Sequence, residues 1–284
     1  ISIGKADTSK LSRTAKNKVG DRPLYDFTVT CGGKTISQFG GAVTVAIPYT
    51  PAADEDTNAI VIYYINDKGE LETITNSRYD AATGTVVFAT DHFSIYAVGY
   101  NKVQFGDVNN TAWYAKSVSY ISARGITSKI AEGNFDPDAI LTRGQFITML
   151  LRAYSISPDE KPAQNFADAG NTYYTGYLAA AKHLDISRGV GGNRFAPDKA
   201  VTRQEMFTML YNALNVMGKL PEGNLGKALA DFYDSGSIAA WAKDAMAYLV
   251  KTGTINGSSG KLAPAEATTR AQMAQVLYNL MVKQ

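Results

Sequence analysis

Three arginines stand in the same short setting: Thr142-Arg143-Gly144-Gln145, Thr202-Arg203-Gln204-Glu205 and Thr269-Arg270-Ala271-Gln272. They lie 60 and then 67 residues apart (203 − 143, 270 − 203). A guanidinium is a permanent planar cation that can grip a carboxylate through two parallel hydrogen bonds. A Thr followed three residues later by Gln or Glu is a capping box: the Thr oxygen takes the third amide of a helix, and the Gln or Glu reaches back to the cap amide. Each copy therefore marks a helix start and puts Arg at the first helical position. The helix dipole disfavours a cation there by about 0.3–1 kcal/mol, so a repeated Arg calls for a compensating partner. One candidate is an external acid, drawn to free amides and the positive dipole end. The other is an internal pair with Asp107, Asp168 and Asp234, the acids that open the three repeats.

The elements around each arginine repeat in register. The opening is Phe105-Gly106-Asp107, Phe166-Ala167-Asp168 and Phe232-Tyr233-Asp234. An aromatic residue starts the next helix 29 or 30 residues before the arginine: Trp113, Tyr173 or Tyr174, and Trp241. The first helices carry Val118 and Ile121, Leu178 and Ala181, and Met246 and Leu249. Turns follow at Gly125-Ile126, Asp185-Ile186 and Gly253-Thr254-Ile255. Then come Phe135-Asp136-Pro137, Phe195-Ala196-Pro197 and Leu262-Ala263-Pro264, with Pro six residues before each arginine. The capped helices run on at helical spacing, as in Phe146, Met149, Leu150 and Ala153. A two-helix unit of this kind cannot bury both faces alone, so three must pack together. Residues 155–165 and 215–229 read as linkers, the second long enough for an extra short helix.

Residues 1–101 have a different texture. Val43, Val45 and Ile47 alternate as in a half-buried strand, and Ala59-Ile60-Val61-Ile62-Tyr63-Tyr64-Ile65 is closed by the hairpin signal Asn66-Asp67-Lys68-Gly69. Thr85-Val86-Val87-Phe88-Ala89 and Phe93-Ser94-Ile95-Tyr96-Ala97-Val98 follow at short spacing. An all-β, sandwich-like domain is expected, with one short helix near residues 7–18. The period changes from two to 3.6 near residues 99–103, which sets the domains at 1–101 and 102–284.

Composition narrows the function. Hydrophobic content of 45% and charged content of 19% fit a globular protein, and a net charge of +2 argues against nucleic acid as a partner. No run approaches the ~18 apolar residues of a membrane span, so membrane insertion is not expected. The chain starts at Ile1 rather than Met and reads as a processed product or a piece of a longer exported protein. Cys31 reads as a small strand residue. Asp136 with Asp138, or Asp54 with Glu55, could be imagined as a glycosidase acid and base. Both pairs sit beside Pro or Ala in loops, read as solvated turns, and no enzyme is expected. His92 and His183 fall in different domains, and no Cys or His cluster has ligand spacing, so no metal is expected. Calcium at loop oxygens such as Asp107 and Asn109 stays open. Gly189, Gly191 and Gly192 form a loop rather than a phosphate cradle.

Taken together, the Phe-x-Asp opening, the Trp, the Gly-Ile turn, the Phe-x-Pro and the Thr-Arg-x-Glu/Gln resemble the S-layer homology repeat in three copies, about 103–154, 165–214 and 230–281. The preceding part resembles, more loosely, the β domain found before such triplets in secreted bacterial proteins. The resemblance implies a mainly α three-repeat pseudo-trimer with a central helical bundle. It implies binding of secondary cell-wall polysaccharide, often pyruvylated, in grooves between repeats, anchoring an exported protein non-covalently in the cell wall or S-layer. It implies no cofactor, and other surface-layer proteins are further candidate partners. By position it makes Arg143, Arg203 and Arg270 ligand contacts, which favours the external acid.

Trp113, Tyr173 and Trp241 could then stack on sugar rings, although aromatics at helical spacing are more often core, the role preferred for both tryptophans. Of Tyr173 and Tyr174, one should face in and one out. Ser187, Asn256 and Ser128 lie opposite the arginines and could meet sugar hydroxyls. The family's usual Glu is replaced by Gln145 and Gln272, Lys129 stands at a turn glycine, and Asp185 opens the second turn, so the third-repeat turn at residues 253–257 is closest to type. The alternative is a protein–protein module of a surface layer without glycan binding; an Arg at each helix start suits an anion better than a flat apolar partner.

Overall fold

The computed structural model describes residues 2–36, 38–127, 133–225 and 227–282 and divides into two compact units, residues 1–129 and 130–284. In the first unit, β1 (Ser2–Lys5), β2 (Leu24–Cys31), β9 (Ile95–Tyr100), β5 (Ile60–Ile65) and β6 (Leu71–Ile74) form one sheet in that order, with β3 (Lys34–Ile36) also on β2. A second sheet has the order β4 (Gln38–Pro48), β8 (Thr85–His92), β7 (Arg78–Asp80). All these pairings are antiparallel. Phe27, Ile60, Ile62, Tyr96 and Val98 of the larger sheet share a core with Val45, Ile47, Val86 and Phe88 of the smaller.

The unbroken apolar run of β5 has a reason: its other face, Val61, Tyr63 and Ile65, packs with Leu11, Ala15 and Val19 on and beside α1 (Arg13–Val19). A strand covered on both faces loses the alternation of a half-exposed one. The helix expected near residues 7–18 is α1, and Asn66-Asp67-Lys68-Gly69 turns the β5–β6 hairpin with Gly69 N–H on Asn66 O at 2.8 Å.

The first unit also contains α2 (Ala115–Ala123), the first helix of repeat one. The compact units thus part at 129/130, beyond the change of period near 101. Arg124 is the reason on the first unit's side. Its guanidinium donates to Ser77 O, Ile60 O and Asn58 O, and Tyr120 Oη donates to Ser77 O, so α2 is fastened to the sheet backbone.

The second unit holds α3 (Arg143–Ala153), α4 (Thr175–His183), α5 (Arg203–Val216), α6 (Lys243–Lys251) and α7 (Arg270–Val282). The apolar positions read from the helical period, Phe146, Met149, Leu150, Leu178, Ala181, Met246 and Leu249, are buried. Between the repeats the extended pieces meet in a ring: Leu141 N–H on Thr268 O (2.8 Å), Val201 N–H on Leu141 O (3.0 Å) and Thr268 N–H on Val201 O (3.0 Å). In the second expected linker, α5 runs on to Val216, and the described residues show only a short helical turn at Leu229–Asp231. No helix among the described residues is long and apolar enough to cross a membrane.

Candidate functional site

The capping boxes form at all three helix starts. Gln145, Glu205 and Gln272 each accept from the cap Thr N–H at 3.1, 2.9 and 3.2 Å, and each donates its own N–H to the Thr Oγ1 at 3.2, 3.4 and 3.3 Å. The amides before them are not free for an anion. Arg143 and Gly144 donate to Lys199 O and Pro197 O, Arg203 and Gln204 to Glu266 O and Pro264 O, and Arg270 and Ala271 to Ala139 O and Pro137 O, at 2.8–3.0 Å. The expectation of an open amide nest is therefore corrected. The extended Phe-x-Pro segment of another repeat delivers its carbonyls to the helix start and satisfies the groups that a helix leaves unpaired.

The arginine side chains make the same link. Arg143 Nε donates to Phe195 O (2.8 Å), Arg203 Nε to Leu262 O (2.8 Å) and Arg270 Nε to Phe135 O (2.7 Å), so the links run from repeat one to two, two to three and three to one. Arg143 and Arg270 also lie over the Phe195 and Phe135 rings, 4.6 and 4.8 Å from the centroids. Repeat three has Leu262 instead, and Arg203 lies over Phe207 at 5.3 Å.

Each receiving loop is strained in the same way: Asp136, Ala196 and Ala263, the middle residues of the three motifs, have φ of 54, 56 and 52°. A left-handed non-glycine residue costs about 1–2 kcal/mol. In repeats two and three the opening acids compensate. Asp168 accepts from Phe195 and Ala196 N–H (2.8 and 2.9 Å), and Asp234 from Leu262 and Ala263 N–H (2.9 and 2.7 Å). Burial would push both carboxyls up, but these amides outweigh it and hold both below the ordinary aspartate range. So Asp168 and Asp234 do not form hydrogen-bonded pairs with the arginines; acid and arginine grip opposite sides of one loop. Asp107 is half-buried in the first unit.

The ionic partner of Arg143 is Glu205, with Nη1 2.8 Å from Oε1. Burial lowers the Arg143 pKa, opposed by the charges of Glu205 and Asp168. The pair stands in a groove of about 790 Å³ within the second unit, lined by Arg143 of repeat one, Ser187, Val190, Lys199, Asn212 and Val216 of repeat two, and Trp241 of repeat three. Arg143, Ser187 and Trp241, chosen from separate repeats, are thus brought together. Trp241 is 58% exposed and Trp113 62%, against the preference for core. The motif starts each first helix on its solvent side, and the buried face falls to Val118 and Ile121 or Met246 and Leu249. Tyr173 faces out and Tyr174 in, at 59% and 8% exposure.

Asn256 bonds its own turn at Gly253 O (3.3 Å), and Ser128 and Lys129 lie outside the described residues. Gly189 takes a left-handed φ of 77°, and a Cβ there would run into Arg194 O and Phe166, as one at Gly257 would run into Lys261 O and Phe232. The second turn is therefore closer to type than its Asp185 start suggests. Glu205, Asn212, Val190 and Val216 were not picked out as groove residues. The signal for Glu205 was present, since it is the one Glu among three capping positions. Glu55, read as a solvated turn acid, is instead held by Arg22 Nη2 (2.6 Å) and Tyr49 Oη (2.7 Å). Asn109 accepts from Thr111 N–H and Oγ1, and no group of three or more His, Cys, Asp or Glu among the described residues could hold a metal.

The S-layer homology domain model matches residues 104–147, 165–207 and 231–274. An amylopullulanase of Thermoanaerobacterium thermosulfurigenes is 29% identical over 255 residues, 88% of this chain and 13% of that protein. The exoglucanase XynX of Acetivibrio thermocellus is 31% identical over 183 residues, 64% of this chain and 16% of that protein. The S-layer protein sap of Bacillus anthracis is 27% identical over 203 residues, 72% and 24%. The chain spans a quarter or less of the length of these relatives. It is a cell-surface anchoring module: a triplet of S-layer homology domains preceded by a β-rich region. It belongs to an extracellular, cell-wall-associated or S-layer protein, and the shared role is surface anchoring of a secreted protein.

Proposed function

We propose that the triplet anchors its parent protein by binding secondary cell-wall polysaccharide, pyruvylated in its acidic units, in grooves between repeats of a pseudo-trimer with a central helical bundle. The observation that carries this reading is the groove that joins Arg143, Ser187 and exposed Trp241, one from each repeat. An exposed indole beside hydroxyl and amide groups suits a sugar ring, whose C–H face stacks while its hydroxyls bond. Arg203, Arg270, Tyr173 and Asn256 of the second unit are proposed as further ligand contacts, and the exposed Trp113 of the first unit as a further stacking surface. Asp168 and Asp234 hold the loops that receive Arg143 and Arg203. Sedimentation with purified wall sacculi tests the proposal. Binding should be lost once the anionic polysaccharide is extracted; retention on extracted sacculi would favour a protein–protein module of the surface layer.

A further inference from the structure

The strands that end the sheets of the first unit are not alike. β1, β3, β6 and β7 are three or four residues long, and each carries charge: Lys5, Lys34, Glu72, and Arg78 with Asp80. Short, charged strands are how proteins keep sheet edges from pairing with another chain. β4 has neither safeguard. It spans 11 residues, Gln38–Pro48, and holds no Asp, Glu, Lys, Arg or His. It ends its sheet, with β8 as its one strand partner among the described residues. The register shift between Gln38 and Val43, and Pro48 with no N–H to give, bound the regular part of this edge to residues 43–47.

Along β4, Val43, Val45 and Ile47 turn to the core that the two sheets share, while Ala42, Thr44 and Ala46 form an exposed row. An edge strand leaves alternate N–H and C=O groups pointing away from its sheet, so β4 offers unpaired backbone beside small, neutral side chains. An edge without charge gives a charged partner nothing to complement. Its own copy matches it side chain for side chain. In an antiparallel pair about a dyad at Val45, Val43 of each strand faces Ile47 of the other, and Thr44 faces Ala46. Apolar meets apolar on the inner side, small meets small on the outer side, and no like charges are brought together.

We propose that β4 is the contact through which two copies of this chain pair, joining their three-stranded sheets into one with the order β7-β8-β4-β4-β8-β7. The contact is isologous: it consumes both long edges and leaves the short, charged β7 strands outermost, so assembly stops at two. Surface anchoring holds many copies in one layer, where a high effective concentration lets a weak edge contact form.

Sedimentation equilibrium of the full chain tests this. Its mass should rise from monomer to dimer through the micromolar range and go no further. Thr44→Lys and Ala46→Lys, on the exposed row, should each weaken the dimer by about tenfold, since every dimer then holds two added cations near its dyad. Tm in dilute, monomeric protein should not move, because both positions are exposed. Ser2→Lys on the exposed β1 edge should leave the dimer intact. Amide exchange over residues 43–47 should slow as the dimer forms. A chain that stays monomeric up to its solubility limit overturns the proposal. So does a dimer indifferent to both lysines, or growth beyond two copies. None of these measurements involves wall glycan, so the anchoring reading stands or falls separately, by sedimentation with sacculi.

Discussion

Arg124 in the β-rich unit and Arg143 in the repeat unit are equally buried, at 2% and 3% exposure, yet they do different work. Arg124 spreads its guanidinium over the carbonyls of Ser77, Ile60, Asn58 and Tyr120 and stacks on the Tyr120 ring, 3.5 Å from its centroid. It is a strut. Arg143 gives one bond to a carbonyl and one to a carboxylate, and it stands in the wall of an open groove. Burial alone does not tell an arginine in a groove wall from one enclosed in the fold. The partners do, because a guanidinium enclosed by carbonyls has no donor left for a ligand.

The largest effect that would break this comparison is on the strut. Arg124→Ala should cost about 3 kcal/mol or more, since several buried carbonyls lose their donor together. Urea unfolding followed in the β-rich unit measures it, and a loss under 1 kcal/mol would mean that water replaces the guanidinium. Arg143→Ala should cost less, about 1–3 kcal/mol, because Glu205 can still reach water. Arg143→Lys should recover little, for an ammonium lacks the fork that serves Phe195 O and Glu205 together.

Acid should act next, on the loops that receive the arginines. Asp168 and Asp234 are held below the ordinary aspartate range, so their charged forms stabilise the fold. That contribution is complete above the unfolded value near pH 4 and is lost as pH falls through the depressed folded values. Tm should drop below about pH 4, and Asp168→Asn should flatten the drop. The smallest effect is on the groove rim. Trp241→Ala should leave stability within about 0.5 kcal/mol, as exposed positions do, while sacculus binding falls. A large Tm loss there would return Trp241 to the core.

Much of this was legible without coordinates. The capping boxes, the buried helix faces, the β5–β6 hairpin and α1 follow from patterns a few residues long, where local sterics and hydrogen bonding decide the outcome. The register of the three repeats picked out Arg143, Ser187 and Trp241 as candidates because equivalent places in a repeat recur. Local pattern could not reveal that the amides at each helix start are already taken by Lys199, Glu266 and Ala139 carbonyls from another repeat. Nor could it decide between core and surface for Trp113 and Trp241, because helical spacing names a face but not which side is covered.

The sequence by itself determined where the helices start and which arginine recurs. Only the tertiary structure decided what those arginines hold. Their partners, Phe195, Leu262, Phe135 and Glu205, lie in other repeats, 52 to 135 residues away for the carbonyl bonds. A contact over that span depends on how whole repeats close on one another, and no spacing along one repeat encodes it.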